Sequence, residues 1–344
     1  MATAASSAPD RSSAATKRAR VAVAGATGYA GQELVRILAR HPAVTLTAAM
    51  SSGATSTPRP LPALARIWDE PVIPLDIERL VRDADIVMLA LPESASAELA
   101  PQLLSRGLRV VDLSGAFRIR GDADRQRWYP ATTSMPGGTV YGLTEGHQDA
   151  IRQARLVSNP GCYPTAALLA LEPLAAAGLL DGPVFVDAKS GISGAGKTPS
   201  DRTHFSENHG SVAAYSVFSH RHTAEIEQAL GRVVTFVPHL VPLDRGILET
   251  IYASLKPGTT EAQVAGTLTA AYKDAPFVRL TGSTLPEIKH VVHTNFCDIG
   301  WKVDAEGGRI VLVAVIDNLV KGAAGSAVQN LNVLLGLDER TGLL

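Results

Sequence analysis

From Arg20 the chain begins RVAVAG, a short β-branched run in which every residue after the arginine is apolar. A glycine-rich turn, GATGYAG, follows, and then QELVRILARHP, whose apolar positions recur at helical spacing until Pro42 ends them. VTLTAAM (44–50) predicts a second strand. DIVMLALP (85–92), a helix through SASAELAPQLLSRG and a strand in LRVVDLS (108–114) repeat the alternation. Strands without a polar face, alternating with helices, predict a parallel sheet covered on both sides.

The second half has a different texture. TAALLALEPLAAAGLL predicts a helix and PVFVDAKS a strand, followed by a polar stretch from Gly191 to His222 without periodicity. VVTFVPHLVP, ILETIYASL and RIVLVAVIDN read as extended runs, with one helix, TTEAQVAGTLTAAYK, between them, and AAGSAVQNLNVLLG reads as an amphipathic C-terminal helix. The expected fold is α/β: a Rossmann-like parallel-sheet domain plus an α+β domain with a mixed or antiparallel sheet. The boundaries predicted are an Ala/Ser-rich disordered tail over 1–18, a nucleotide-binding domain over 19–160 and 322–344, and a catalytic and oligomerisation domain over 161–321.

Composition narrows the class. The 344 residues are 46% hydrophobic and 19% charged with a formal net charge of -1, which gives no reason to expect nucleic acid or an anionic membrane as partner. No run approaches the roughly 18 apolar residues that span a bilayer. Two cysteines form no disulfide framework and match no metal motif, so a reducing, cytoplasmic setting without a metal is expected.

Gly25, Gly28 and Gly31, with Thr27 and Tyr29 between them, form G-x-x-G-x-x-G in the first strand-to-helix turn. Glycines there serve packing alone or let backbone N–H groups approach a pyrophosphate at the helix N-terminus. The end of the second strand, where NAD sites place a carboxylate, reads AMSSG. Ser51 and Ser52 suit a 2′-phosphate that a carboxylate would repel, with Arg59 a further candidate, so NADP(H) is favoured.

Cys162 follows the run RLVSN and opens a helix. It is either a small core hydrophobe or a nucleophile, since a helix N-terminus lowers a thiol pKa from ~8.5 towards ~7. Cys297, in NFCDIG, is assigned to the inert class. SHRHTAEIEQAL places two histidines around an arginine before a helix, and Glu225 is placed either to orient an imidazole or to make a salt bridge.

VSNPGCYPTAALLALEP resembles the active-site signature of the type 1 N-acetyl-γ-glutamyl-phosphate reductase family, NADPH-dependent enzymes of arginine biosynthesis. GATGYAGQELVRIL, ALPESASAELAPQLL, VDLSGAFRI, DAKSGISGAGK, AYSVFSHRHTAEIEQAL, PHLVPLDRGILETIYA and VIDNLVKGAAGSAVQNLN resemble further family blocks, in family order. The resemblance implies that Cys162 is the nucleophile and that the histidine cluster supplies the acid/base group, expected at His220 with His222 in reserve. It also implies Asn318 for the nicotinamide amide.

Its substrate is anionic, and arginine suits anionic oxygens. Arg118 is therefore the candidate for phosphate, Arg221 or Arg245 for carboxylate, and Asn159 is counted with them. Ser193 and Gly194, in SGISGAG, are expected to line the nicotinamide side. Two positions depart from the family pattern: Glu93 and Ser94 follow Pro92 in place of His-Gly, and Ala116 replaces an Asp before Phe117 and Arg118. Relatives acting on aspartyl or aminoadipyl phosphates share the architecture, and a catalytically silent NADP-binding regulator is the alternative from another class. A homodimer or homotetramer is expected, because few helices are available to cover the second sheet.

Overall fold

The computed structural model describes residues 18–52, 57–304, 306 and 308–344. The expected tail, apart from Arg18, lies outside the described residues.

The first sheet has six strands: β1 (Ala19–Ala24), β2 (Val44–Met50), β3 (Ile86–Leu89), β4 (Arg109–Asp112), β5 (Thr139–Tyr141) and β6 (Leu156–Ser158). Their order is β2-β1-β3-β4-β6-β5 and every pairing is parallel. The order reverses direction between β1 and β3. At such a switch point the connections leave to opposite faces and open a crevice beyond the carboxyl ends of the strands. Gly25 follows β1 there, and Ala90 to Pro92 follow β3.

The second sheet holds β7 (Leu180–Gly191), β8 (Ala213–Ala214), β9 (Val234–Val241), β10 (Ile247–Leu255), β11 (Val278–Gly282), β12 (Cys297–Asp304) and β13 (Arg309–Ile316). Its order is β11-β12-β13-β10-β7-β9-β8. β7–β9 and β11–β12 are parallel and the remaining pairs antiparallel, so the sheet is mixed. Burial alternates along β9, and one face packs under the helix Cys162–Ala176. On the other face Phe185 and Tyr252 stand opposite each other in register, 45% and 44% exposed.

The C-terminal helix Gly325–Leu334 differs from expectation. It is not amphipathic in place, because all ten residues are buried. Its apolar side packs against the first sheet, and its amides are satisfied internally. Asn330 Nδ2 donates to the Gly142 carbonyl at 2.8 Å, and Asn332 Oδ1 lies 2.9 Å from His41 Nε2. A π-helical turn, Val320–Ala324, precedes it.

The helix Cys162–Ala176 carries one charged side chain, Glu172. Burial, with the neighbouring Glu145 second, pushes its carboxyl up to about 7. A native state that resists ionisation loses stability as pH rises through the unfolded value, and the loss is complete above the folded one. Glu172→Gln should therefore stabilise the protein near pH 8, by on the order of 1–3 kcal/mol, and change little near pH 4. Thermal unfolding at the two pH values checks this, and equal shifts at both would refute it.

Candidate active site

One cleft of about 520 Å³ runs from the glycine turn to the cysteine. Its walls include Gly25, Thr27, Gly28, Tyr29, Gly31, Ser52, Arg118, Cys162, Ser193, Gly194, His222 and Asn318. The sequence therefore places both halves of its expected chemistry in a single crevice.

At the glycine turn Gly25 has φ +91°, and a Cβ there would lie 2.1 Å from the Ala90 carbonyl oxygen. A Cβ on Gly31 would lie 2.1 Å from the Gly25 oxygen. The helix Tyr29–Leu38 starts without a side-chain cap, so its first N–H groups face the cleft. Lys197 reaches over from the second half and donates to the Thr27 carbonyl at 3.3 Å. A bare helix terminus, close-packed glycines and a lysine form a cradle that fits a dinucleotide pyrophosphate. Ser52 lies on the cleft, whereas Ser51 is buried and its N–H donates to the Ile73 carbonyl at 2.8 Å. Arg59 pairs backbone to backbone with Val72 beside this strand end.

Cys162 begins its helix directly after Gly161. Both glycines around it are steric requirements: a Cβ on Gly322 would lie 2.7 Å from Cys162 Cβ, and one on Gly161 would lie 2.5 Å from His222 Nε2. Glu225, fully buried, holds the turn by accepting from the Gly161 N–H at 2.8 Å and from the Tyr141 hydroxyl at 2.7 Å. Its other oxygen faces Arg118 Nη1 at 3.4 Å. Glu225 thus takes the ion-pair alternative and orients the cysteine turn, not an imidazole. Arg118 gives Nε to the Asn159 carbonyl at 2.9 Å and Nη2 to the Leu113 carbonyl at 2.8 Å, leaving Nη1 towards the cleft, 3.4 Å from His222 Nε2.

The two histidines differ in setting. His222 lines the cleft, and its buried Nδ1 has no hydrogen-bond partner. His220 does not line the cleft. Its Nδ1 accepts the His222 N–H at 3.2 Å, and its ring packs edge-on against Tyr163, Tyr215 and Phe236. Of the two histidines expected as candidates for the acid/base group, His222 is the one on the cleft wall. Burial and then Arg221 push His220 down to about 4. Burial, then His220 and the arginines, hold His222 well below the ordinary imidazole range. Both rings are neutral at pH 7, so His222 can take a proton.

The thiol also departs from expectation. Burial pushes Cys162 up to about 11, against the pull of Arg118 and the Tyr163 N–H. The helix terminus is there, but desolvation in a narrow site outweighs it. Cys297 is fully buried on β12 and its thiol is raised further.

Three expected substrate residues lie off the cleft wall. Asn159 is fully buried; its Nδ2 donates to Ser326 Oγ at 3.1 Å and its Oδ1 accepts from Asn330 Nδ2 at 3.0 Å. Arg221 stacks over Tyr129 and faces Glu93 at 3.7 Å. Glu93, the departure after Pro92, thus meets an arginine beside the histidines. Arg245 is paired with Glu33. Residues that the sequence reading left out include Tyr141, Gly322 and Lys197. A glycine-rich block after β13 was the available signal for Gly322, while nothing local marks Tyr141.

With no preformed thiolate, alkylation of Cys162 by iodoacetamide in the ligand-free protein should speed up steadily above about pH 8 without levelling near neutrality. The rate against pH checks this, and a plateau already at about pH 7 would show a standing thiolate–imidazolium pair.

Comparison with known proteins assigns the family. Residues 20–154 match the family model "Semialdehyde dehydrogenase, NAD binding domain", and residues 162–318 match "Semialdehyde dehydrogenase, dimerisation domain". A protein of Syntrophobacter fumaroxidans named N-acetyl-gamma-glutamyl-phosphate reductase is 45% identical over 94% of this chain and 97% of its own. One of Desulforudis audaxviator with the same name is 46% identical over 94% and 98%. Among solved structures, aspartate semialdehyde dehydrogenase II of Vibrio cholerae superposes with a TM-score of 0.71 at 18% identity, covering 93% of this chain and 99% of its own. The Candida albicans aspartate semialdehyde dehydrogenase solved with NADP gives 0.68 at 17%, covering 93% and 99%. At those identities the likeness shows the fold. The full-length relatives, matched across both halves and through the cysteine block, show that the chain belongs to the N-acetyl-gamma-glutamyl-phosphate reductase family.

Proposed function

We propose that this chain reduces N-acetyl-γ-glutamyl phosphate with NADPH to N-acetylglutamate 5-semialdehyde and inorganic phosphate, through a thioester on Cys162, in arginine biosynthesis. The observation that carries the reading is that Cys162, Arg118, His222 and the glycine turn share one cleft.

His222, neutral and facing the Gly161 turn, takes the thiol proton as the sulfur attacks the acyl carbon. The acyl carbon–oxygen bond breaks, and phosphate leaves with the electron pair. Arg118 Nη1, on the cleft wall, can donate to a phosphoryl or developing acyl oxygen, and its positive charge also favours the thiolate. NADPH held along the glycine turn would supply the hydride that takes the thioester to the aldehyde level. His222 then returns its proton to the departing sulfur, which restores the neutral pair. Asn318 and Ser193, hydrogen-bonded to each other at 3.0 Å, are placed for the nicotinamide side. Of the two arginines expected for the carboxylate, Arg245 is tied to Glu33 and Arg221 faces Glu93 off the cleft wall, so neither takes that role here.

The domain division follows the chemistry: residues 19–160 and 322–344 hold the nucleotide, and 161–321 carry the cysteine and histidine. The uncovered sheet face around Phe185 and Tyr252 suits a second copy of the chain, giving a homodimer or homotetramer. Both cysteines are free, which fits a cytoplasmic enzyme, and among the described residues no helix is long and apolar enough to cross a membrane.

The deciding assay is phosphate-dependent reduction of NADP with N-acetylglutamate semialdehyde, with aspartate semialdehyde as control. Faster turnover of the control would overturn the substrate. Cys162→Ser should abolish turnover while leaving NADPH binding near the parent value, because a hydroxyl is not ionised at neutral pH. His222→Asn should lower kcat by about 10²–10³, and His220→Asn should do less. Steady-state rates compare the two, and the opposite ranking would return the proton to His220. Ser52→Asp should weaken NADPH binding at least about tenfold through repulsion of the 2′-phosphate, with little effect on NADH. An unchanged Kd for NADPH would place that phosphate elsewhere.

A further inference from the structure

Arg245 sits in the loop between β9 and β10, yet its guanidinium leaves its own sheet for the helix that starts at the glycine turn. Nη2 donates to Glu33 Oε1 at 2.5 Å, with the two side chains only 16% and 10% exposed. Arg36 holds the other Glu33 oxygen at 2.6 Å, and the buried Asp317 carboxylate faces Arg245 Nη1 at 3.6 Å. Burial works against the ionised Glu33, but the two arginines outweigh it and keep its carboxyl below the usual range.

The backbone around Arg245 grips the opposite wall of the cleft. The Asp244 carbonyl accepts from Ser193 Oγ at 2.6 Å, and the Gly246 N–H donates to Asn318 Oδ1 at 2.8 Å. Asn318 Nδ2 closes the circuit to Ser193 Oγ at 3.0 Å. Little slack remains in this loop. Gly246 has φ +104°, and a Cβ on it would lie 2.2 Å from Ile288, while one on Gly191 would lie 2.8 Å from the Arg245 nitrogen. A single turn of chain therefore bonds both the helix of the glycine turn and the Ser193–Asn318 corner. A dinucleotide in the cleft must touch both, so the spacing between them is a condition of its binding. A buried, charge-assisted hydrogen bond between a cation and a carboxylate has the strength and directionality to fix such a spacing.

We propose that Glu33 and Arg245 form a positioning clamp that sets the glycine turn at a fixed distance from Ser193 and Asn318, and so controls dinucleotide affinity while leaving the chemistry at Cys162 untouched. This rests on the reading of the cleft as an NADP(H) site. Neither residue touches the reacting atoms; both act through the elements they join.

The test uses the full chain with Glu33→Gln, Arg245→Gln and the double variant. Equilibrium NADPH binding is followed by quenching of tryptophan fluorescence, alongside the rate of Cys162 alkylation by iodoacetamide without cofactor. Each single change should raise the Kd for NADPH by about five- to twentyfold, and the double variant should be no worse than the poorer single one, as expected for one shared interaction. Alkylation should stay within about twofold of the parent, since the thiol lies outside the pair. Arg245→Lys, which keeps the charge, should recover most of the affinity and serves if a glutamine variant does not fold. Additive losses, or parental NADPH affinity in the Arg245 variants with a raised KM for the acyl phosphate, would overturn the clamp and return Arg245 to the substrate. A parent protein that fails to bind NADPH at all would instead strike at the reading of the cleft.

Discussion

The Glu225 carboxylate is the fixed point of this active site. Fully buried on the helix His222–Leu230, it reaches three separate stretches of chain: the Gly161 N–H, the Tyr141 hydroxyl and the Arg118 guanidinium. Buried away from water, its oxygens are satisfied by these three contacts, two of them short hydrogen bonds. Removing any partner leaves a buried carboxylate oxygen short of a hydrogen bond. The cysteine turn, the histidine helix and the arginine thus hold one relative geometry. Cys162 owes its place to this carboxylate as much as to the sheet beneath it.

The same burial explains why the site is electrically quiet at rest. A thiol pushed upward and imidazoles pushed downward give a neutral pair, although a guanidinium stands beside them. Charge then develops only when an acyl group is present to share it. A neutral thiol reacts more slowly with electrophiles than a thiolate, and fixed dipoles around it need little reorganisation when the reaction begins.

Much of this was legible in the sequence, for physical reasons that can be named. The apolar runs of β1, β3 and β4 and the glycine turn announce a parallel sheet because a strand covered on both faces has no polar side to display. The cysteine was legible from its place between a strand and a helix. The strands β5, β11 and β12 were not, since they are short or interrupted by glycine and charge. The choice between His220 and His222 was hidden because two residues apart at a loop–helix junction have no periodicity to phase them. Arg245 looked like an anion-binding side chain because its partner, Glu33, lies 212 positions earlier. The C-terminal helix read as amphipathic because polar amides look alike in sequence, whether they face water or a buried carbonyl.

That last helix has a further consequence. Val328 and Leu331 pack in the same core as Val21 and Val23, at opposite ends of the chain. During synthesis the first strand emerges long before the segment that covers it. The nascent nucleotide sheet must therefore wait, with one apolar face covered only in part by the helix Tyr29–Leu38, until the segment around Val328 has been made. Protection of that face on the ribosome is a demand that the order of the chain itself imposes, and an early stop codon removes the cover along with the tail.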